Sequence, residues 1–317
     1  MFNHFRSTER HLKLLAIPFG IKKTVSGNVK SKFSSRPRPR TQNRSNNIIK
    51  LNQSRPLTTI TDSFTPIMNP NKPDPQELNE ANPIVPLTAT RFPKASSTWP
   101  SVTKILQETM PAASKFLLDR WKEAMIKKLG TVGFNKYQQE TFERGRILHS
   151  LVASYLLRHD NPTDITMDIV SNLWKSIENV VKENISNVRL VEHVVTHPDL
   201  KYRGIVDCVA FYKGELVVID FKTAEKPKKT IESLFDNPIQ VTAYCGAINN
   251  DINIPVSVID RNICSGLVIV AYIDGSEASV HYLGRDKVTN EYWKKWTTRL
   301  DQFTRMKAMQ IEDNDAR

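Results

Sequence analysis

Two segments rich in Val and Ile, separated by only two residues, constrain the fold more than any other feature of the chain. Residues 204–212 and 215–222 flank Lys213-Gly214. Such segments predict strands, and a two-residue loop ending in Gly predicts an antiparallel hairpin. Asp207 and Asp220 each lie six residues from the loop, so they are expected to face each other with Cβ atoms about 5 Å apart. A bulged turn would shift this register.

A third charged residue belongs to the same face of the predicted hairpin. Lys222 follows Asp220 by two residues and so points the same way. Two acids directly opposite each other destabilise a hairpin unless something neutralises them. Mg²⁺, or Mn²⁺ in its place, binds carboxylate oxygens and activates water for attack on a phosphate. The pattern predicts a metal-dependent hydrolase with Asp207, Asp220 and Lys222 as catalytic residues; the alternative is a simple salt bridge on a half-exposed hairpin.

The rest of the chain alternates between helical and strand periodicity. The order of helices, three strands, a helix, two strands and a final helix predicts a mixed α/β or α+β domain. A helix between the two groups of strands is expected to begin with Asn237 as N-cap and Pro238 at its first position. The further predicted helices are 112–129, ended by Gly130 and Gly133, then 136–158, 165–184 and 287–309, and the further strands are 189–196, 267–273 and 278–283 with a turn at Asp274-Gly275.

The net charge of +12 is concentrated at the N-terminus. Residues 1–60 contain 13 Lys and Arg and one acid, Glu9, whereas the remaining chain has 32 bases and 32 acids. A basic, Ser-rich and acid-poor N-terminus is typical of a mitochondrial transit peptide, which we predict for residues 1–40, with the matrix as destination. The alternative is a basic arm that binds nucleic acid or acts as a nuclear signal. Because the rest is neutral, any attraction of the folded part for phosphate must be local.

The distribution of proline predicts the domain boundaries. Twelve of the 18 prolines lie at or before Pro100, and proline is incompatible with helix interiors and central strands. Residues 41–95 are therefore predicted to be a disordered linker, followed by a folded domain at 96–311 and a short tail at 312–317. The chain has no run of 18 apolar residues, so the sequence predicts no membrane span. Cys208, Cys245 and Cys264 lack disulfide or metal-site spacing, which favours a reducing compartment. Cys208 and Cys264 are expected to be buried.

Five elements in chain order resemble the RecB-like branch of the PD-(D/E)xK nuclease superfamily. They are Pro100–Leu106, Gly145–His149, Asp207, Asp220-Phe-Lys222 and Gln240–Tyr244. The tract 204–246 is similar in particular to mitochondrial nucleases of that branch, and the resemblance spans roughly residues 97–305. It implies a restriction-endonuclease-like core, in which helices flank a small mixed sheet that contains a catalytic antiparallel hairpin.

The resemblance also implies roles for single residues. It implies metal ligation by His149, Asp207 and Asp220, catalysis by Lys222, and substrate binding by Gln240, Tyr244 and Ser101. From the residues alone, a lone helical histidine is more often a core or surface residue. An amide and a phenol four residues apart on a helix are as compatible with ordinary helix surface as with substrate binding. Val206 replaces the proline that the superfamily often has before its first acid, and the cysteine staple of some RecB-like nucleases is absent, so no iron–sulphur cluster is expected.

Basic and aromatic side chains near the start of the domain are candidates for binding nucleic acid. This set comprises Trp99, Arg120, Trp121, Lys122, Lys127 and Lys128. Single strands are bound by stacking on rings and by pairing with phosphates, so Arg120 and Lys122 are predicted phosphate contacts. Trp121 shares the apolar stripe of its helix and is expected to be buried. A second basic run, Lys226-Pro-Lys228-Lys229, follows the catalytic strand and could lie along a substrate backbone.

The residues and the resemblance together predict a monomeric, Mg²⁺-dependent exonuclease that prefers ends of single-stranded DNA. The resemblance places it in flap or intermediate processing during mitochondrial DNA replication and maintenance. The absence of a GxxxxGK[ST] loop argues against ATP-driven unwinding of a duplex. The competing hypothesis is a non-catalytic mitochondrial nucleic-acid-binding protein on a nuclease fold. A ribosome-associated protein is disfavoured, because its excess of bases should extend into the folded part.

Overall fold

The computed structural model describes residues 67–73, 85–158 and 168–315, with side chains described as far as residue 312. Within these residues six strands form one sheet in the order β1 to β6. They are β1 Leu87–Ala89, β2 Ile185–His197, β3 Tyr202–Tyr212, β4 Glu215–Ala224, β5 Gly266–Tyr272 and β6 Ser279–Leu283. The β1–β2 and β4–β5 pairs are parallel and the other three are antiparallel. The sheet is therefore mixed, as predicted.

Helices cover both faces of the sheet. They are α1 Val102–Glu108, α2 Ala112–Arg158, α3 Asp168–Asn184, α4 Asn237–Asn250 and α5 Trp293–Asp315, with short turns at Lys94–Ser96, Ile231–Leu234 and Lys287–Tyr292. Strand side chains alternate between two cores. Val218 lies in the core beneath α1, α4 and α5. Ile219 lies in the core beneath α3 and the second half of α2, residues 131–158, whereas residues 112–129 form its first half. This arrangement confirms the predicted α/β class. No helix of the described ranges is long and apolar enough to cross a membrane.

The central hairpin has the predicted register. Tyr212 pairs with Glu215 and Cys208 with Ile219, so Lys213-Gly214 is a two-residue turn. Both turn residues have positive φ, 50° and 87°, which is the geometry of a type I′ turn and matches strand twist. The β3–β4 ladder ends at Cys208 and Ile219, whereas β4 continues to pair with β5 as far as Ala224. The two central strands therefore separate where Asp207 and Asp220 lie.

The structure corrects one prediction about helix ends and confirms another. Helix α4 begins at Asn237 with Asp236 as its N-cap, so Asn237 is not the cap. In α2, Gly130 has non-helical angles (φ 71°, ψ 164°), which confirms the predicted break at this glycine. The rings of Trp121 and Phe134 lie 6.1 Å apart, although a straight helix would separate these residues by about 20 Å. The first half of α2 therefore folds back along the second half.

The apolar stripe of the first half of α2 is not buried, contrary to prediction. The exposed fractions are 61% for Phe116, 65% for Leu117 and 44% for Trp121. The core on this side of the sheet is filled by α3 and by residues 148–156 of α2. The first half instead packs on its own continuation, through the contacts of Trp121 with Phe134 and Tyr137. Periodicity identified the helix but not the environment of its apolar face.

Two stretches inside the predicted linker are ordered, which corrects that prediction for them. Strand β1 extends the sheet beside β2. Ile67 is 4% exposed, and the side-chain amide of Asn249 donates to its carbonyl at 3.2 Å, while that of Asn262 donates to the carbonyl of Lys72 at 2.9 Å. Helix α5 also continues into the predicted tail, as far as Asp315. The predicted transit peptide at 1–40 lies outside the described residues. Cys208, Cys245 and Cys264 are all buried, and none of the three forms a disulfide.

Candidate active site

The two acids of the hairpin lie where β3 and β4 separate. The backbone N–H of Phe221 has no ladder partner on β3, and it donates instead to Oδ2 of Asp207 at 2.8 Å. This bond fixes the carboxylate between the strands and satisfies a backbone donor that would otherwise be buried without a partner. Asp220 lies on the neighbouring strand and is fully buried. The hairpin therefore holds both acids in place before any substrate binds.

Helix α2 brings the predicted histidine to the first acid. His149 Nδ1 lies 3.4 Å from Oδ1 of Asp207 and 3.3 Å from Oε1 of Glu192. One ligand atom from each of the three residues lies within 4.8 Å of the others. Their side chains remain 31%, 10% and 23% exposed for His149, Asp207 and Glu192 respectively. The cluster is thus compact enough to hold a cation and open enough to admit a substrate.

Glu192 was missed by the sequence analysis, although a signal for it exists. It is the one acid in the apolar run 189–196, so it interrupts a buried strand as Asp207 and Asp220 do. In the structure Val191 pairs with Cys208 and His193 with Val206, which places Glu192 beside Asp207. Its φ of 45° is uncommon for a residue other than Gly and costs of order 1–3 kcal/mol. The strained backbone turns this carboxylate toward the cluster.

Lys222 forms an ion pair with Asp220. Its Nζ lies 2.7 Å from Oδ1 and 2.6 Å from Oδ2 of that carboxylate. Burial raises the pKa of Asp220 to about 6; the ammonium of Lys222 opposes this rise, and the charge of Asp207 adds to it. Burial would lower the pKa of Lys222, but Asp220 and Asp207 outweigh it and raise that pKa. The predicted catalytic residues therefore form one electrostatic unit.

The imidazole of His149 neutralises the opposite side of the site. Burial would lower the pKa of His149, but the carboxylates of Asp207 and Glu192 outweigh burial and raise it well above the usual value. Burial would raise the pKa of Asp207, but His149, Lys222 and the amide of Phe221 lower it. The acids are thus balanced by two cationic side chains, His149 on one side and Lys222 on the other.

Gln240 and Tyr244 belong to α4, and Gln240 contacts Asp220 of β4. The side-chain amide of Gln240 donates to Oδ1 of Asp220 and to the hydroxyl of Tyr244, both at 3.1 Å. Tyr244 is 3% exposed, and burial raises its pKa well above 10. Its ring lies against Gly204, where a Cβ atom would collide with the ring. Both residues that were predicted to bind substrate thus support the second acid in this structure.

The start of α4 is anchored to two other helices. The carboxylate of Asp236 accepts from Nη2 of Arg299 at 3.0 Å, and Nε of Arg299 donates to Oγ1 of Thr109 at 2.7 Å. The backbone N–H of Gln240 donates to the carbonyl of Asp236 at 2.9 Å. This network fixes the N-terminal turn of α4, and with it the position from which Gln240 reaches Asp220.

The other predicted substrate residues lie away from the acids. Ser101 is the N-cap of α1, and its Oγ accepts from the N–H of Lys104 at 3.2 Å. Arg120 and Lys122 are on the exposed first half of α2, where Lys122 Nζ lies 3.7 Å from the carboxylate of Asp119. The structure places none of the three in contact with the cluster, so their roles stay predictions.

The residues at the site fit a hard divalent cation. His149, Glu192 and Asp207 supply one imidazole nitrogen and carboxylate oxygens, the ligand types that suit Mg²⁺ and Mn²⁺. Oδ2 of Asp220 is buried, and apart from the ion-pair contact with Lys222 it accepts no hydrogen bond from the described residues. Such an atom has a free lone pair for a ligand. The roles of His149, Asp207 and Asp220 as ligands stay predictions, and the geometry adds Glu192 as a further candidate.

Comparisons with known proteins agree with this geometry. A family model described as the PD-(D/E)XK nuclease superfamily matches residues 178–315, which includes both hairpin acids and excludes His149. The Homo sapiens protein named Mitochondrial genome maintenance exonuclease 1 is 41% identical over 255 residues, covering 79% of this chain and 70% of the relative. The same-named proteins of Mus musculus and Xenopus tropicalis are 42% and 39% identical, covering 68% and 77% of this chain and 61% and 69% of their own lengths.

We predict that Gln240→Leu lowers kcat for DNA cleavage and leaves KM nearly unchanged. The substitution removes a hydrogen bond to Asp220, and since a bond to a charged group contributes about 1.5–3 kcal/mol, kcat should fall roughly 10- to 150-fold. Steady-state kinetics on a labelled DNA strand measure both constants. Gln302→Leu, an exposed change on α5, is the control. A higher KM with unchanged kcat would instead show that Gln240 binds substrate.

Proposed function

Because the chain belongs to the mitochondrial genome maintenance exonuclease family, within the PD-(D/E)xK nucleases, we propose that it is a Mg²⁺-dependent exonuclease that hydrolyses single-stranded DNA from its ends. The observation that carries the proposal is the joint placement of His149, Glu192 and Asp207 beside the Asp220–Lys222 pair. A site built for stability alone would not collect three acids at the gap between two central strands. We propose that its role is to process flaps or intermediates in mitochondrial DNA replication and maintenance.

The residues of the site fall into three roles in the proposed reaction. When bound, Mg²⁺ or Mn²⁺ supplies an activated water and stabilises negative charge on the scissile phosphate. The carboxylates of Asp207, Glu192 and Asp220 and the imidazole of His149 would hold the cation. The ammonium of Lys222, held by Asp220, lies where it can balance charge that develops on the phosphate. Gln240 keeps Asp220 oriented through its hydrogen bond.

The first test of this proposal is Asp220→Asn. The change removes a ligand charge without altering side-chain shape, so cleavage should fall by at least roughly 100-fold, as it does when a transition-state contact is lost. Folding and DNA binding should persist, because the substitution also relieves repulsion with Asp207. End-labelled single strands incubated with Mg²⁺ or with EDTA measure cleavage, and anisotropy measures binding.

Asp199→Asn, an exposed carboxylate in the turn before β3, is the matched control and should behave as the unaltered protein. Cleavage by Asp220→Asn at the unaltered rate would rule out this active centre. Absence of cleavage by the unaltered protein with Mg²⁺ or Mn²⁺, together with intact DNA binding, would favour a non-catalytic nucleic-acid-binding protein.

A second prediction concerns the form of the substrate. The folded part carries no net charge beyond residue 60, so it has little long-range attraction with which to distort a duplex of persistence length about 150 bp. The first half of α2 carries exposed aromatic rings and basic side chains, among them Arg120 and Lys122. Such side chains favour binding of single-stranded DNA. We expect rapid digestion of linear single strands, slow digestion of blunt duplex, and survival of circular single strands. Equal rates on duplex and single strand would refute the strand preference, and rapid cutting of circles would refute an exonuclease.

A third prediction concerns localisation to the mitochondrial matrix, which we propose from the names of the relatives and the basic N-terminus. Residues 1–60 fused to a fluorescent reporter should direct it into the matrix, where it resists added protease until the inner membrane is opened. A fusion with the Lys and Arg of residues 1–40 replaced by Gln should remain outside, because import depends on this positive charge. Accumulation of the first fusion in the nucleus would contradict the proposal.

A further inference from the structure

A pocket of about 320 Å³ lies between α2 and the end of β4, the two elements that carry His149 and Lys222. One wall is formed by Trp121, Tyr137 and Arg144 of α2, and the other by Thr223, Glu225 and Lys226 at the end of β4 and just after it. This volume is at the lower limit for pockets that bind small organic molecules. It therefore suits a flat group about the size of one nucleobase.

The pocket and the predicted catalytic residues share two elements of the fold. Thr223 directly follows Lys222 on β4. On α2, Arg144 lies five residues before His149, which is about 7.5 Å along a helix axis. At about 3.4 Å or more per nucleotide of one strand, this separation corresponds to roughly one or two nucleotides. A strand whose phosphate lay at the metal cluster would therefore have a base within reach of the pocket.

The lining has the chemistry that holds an unpaired base. Trp121 remains 44% exposed although its ring is held by Phe134 and Tyr137, at centroid distances of 6.1 and 6.3 Å. A ring fixed in this way and open on the pocket side is a stacking surface. The guanidinium of Arg144 is paired with Glu225, which adds donors and acceptors at the rim. Lys226 supplies positive charge for a backbone phosphate.

We propose that this pocket receives one unpaired nucleobase of the substrate strand and stacks it on Trp121, while the neighbouring phosphate lies at the cluster of His149, Glu192 and Asp207. The proposal rests on the proposed nuclease function and names the feature of the substrate that it selects. A base within a duplex can enter the pocket only by leaving its stack and its pair, at a cost of a few kcal/mol. The pocket would thus discriminate against duplex close to the bond that is cut.

Single abasic sites test the proposal. A set of labelled single strands carries one tetrahydrofuran residue at successive positions, and cleavage by the full chain with Mg²⁺ is followed at each bond. Stacking of a base contributes about 1–3 kcal/mol, so cleavage should slow roughly 5- to 150-fold at one fixed distance from the abasic site. Trp121→Ala should be slow on intact strands and should lose this position dependence, whereas Trp121→Phe should keep it.

Phe142→Ala is the control, because Phe142 lies on the same helix, is 71% exposed and does not line the pocket. An abasic effect that is equal at all positions, or one that persists unchanged in Trp121→Ala, would overturn the proposal. A binding measurement separates this failure from that of the nuclease function. In EDTA, 2-aminopurine at the same position should be quenched on binding by the unaltered protein but not by Trp121→Ala. Quenching without any cleavage in Mg²⁺ would leave the pocket standing and refute the nuclease.

Discussion

The structure depends on keeping three carboxylates close together in a largely buried part of a sheet. An isolated charge in such a place costs several kcal/mol or more, and neighbouring like charges increase that cost. Asp207 is offset by His149 and by the N–H of Phe221, and Asp220 by Lys222 and Gln240. Removing any of these partners leaves a charge that the fold cannot accommodate cheaply. The surrounding helices are therefore needed for the site as much as for the core.

The two faces of the sheet supply these partners separately. His149 comes from α2 on one face, and Gln240 comes from α4 on the other. They can reach neighbouring acids because β3 and β4 separate beyond Cys208 and Ile219. The gap between these two strands is accessible from both faces of the sheet. Each helix has its own anchor, and for α4 this is the bond of Asp236 to Arg299. The geometry of the site is thus set by contacts that lie well outside it.

The hairpin could be predicted from the sequence because its register follows from a two-residue turn. Once Lys213-Gly214 is the loop, the positions of Asp207, Asp220 and Lys222 follow from the alternation of a strand. Glu192 could not be placed in the same way, because β2 and β3 are joined by the longer connection 198–201, which does not fix a register as a two-residue turn does, and because Glu192 adopts a positive φ. Periodicity also failed for Trp121, since an apolar stripe records which residues share a face and not what covers that face.

The exposure of the first half of α2 agrees with the lack of net positive charge in the folded part. A nucleic-acid-binding domain with strong positive charge can bind DNA through long-range attraction, but this one has equal numbers of acids and bases beyond residue 60. Binding energy for the proposed substrate must then come from short-range contacts, for which rings and paired guanidinium groups must be accessible. The exposed rings of Phe116 and Trp121 are available for such contacts. The second half of α2 carries His149, so the exposed rings and a predicted metal ligand belong to one element that is broken at Gly130.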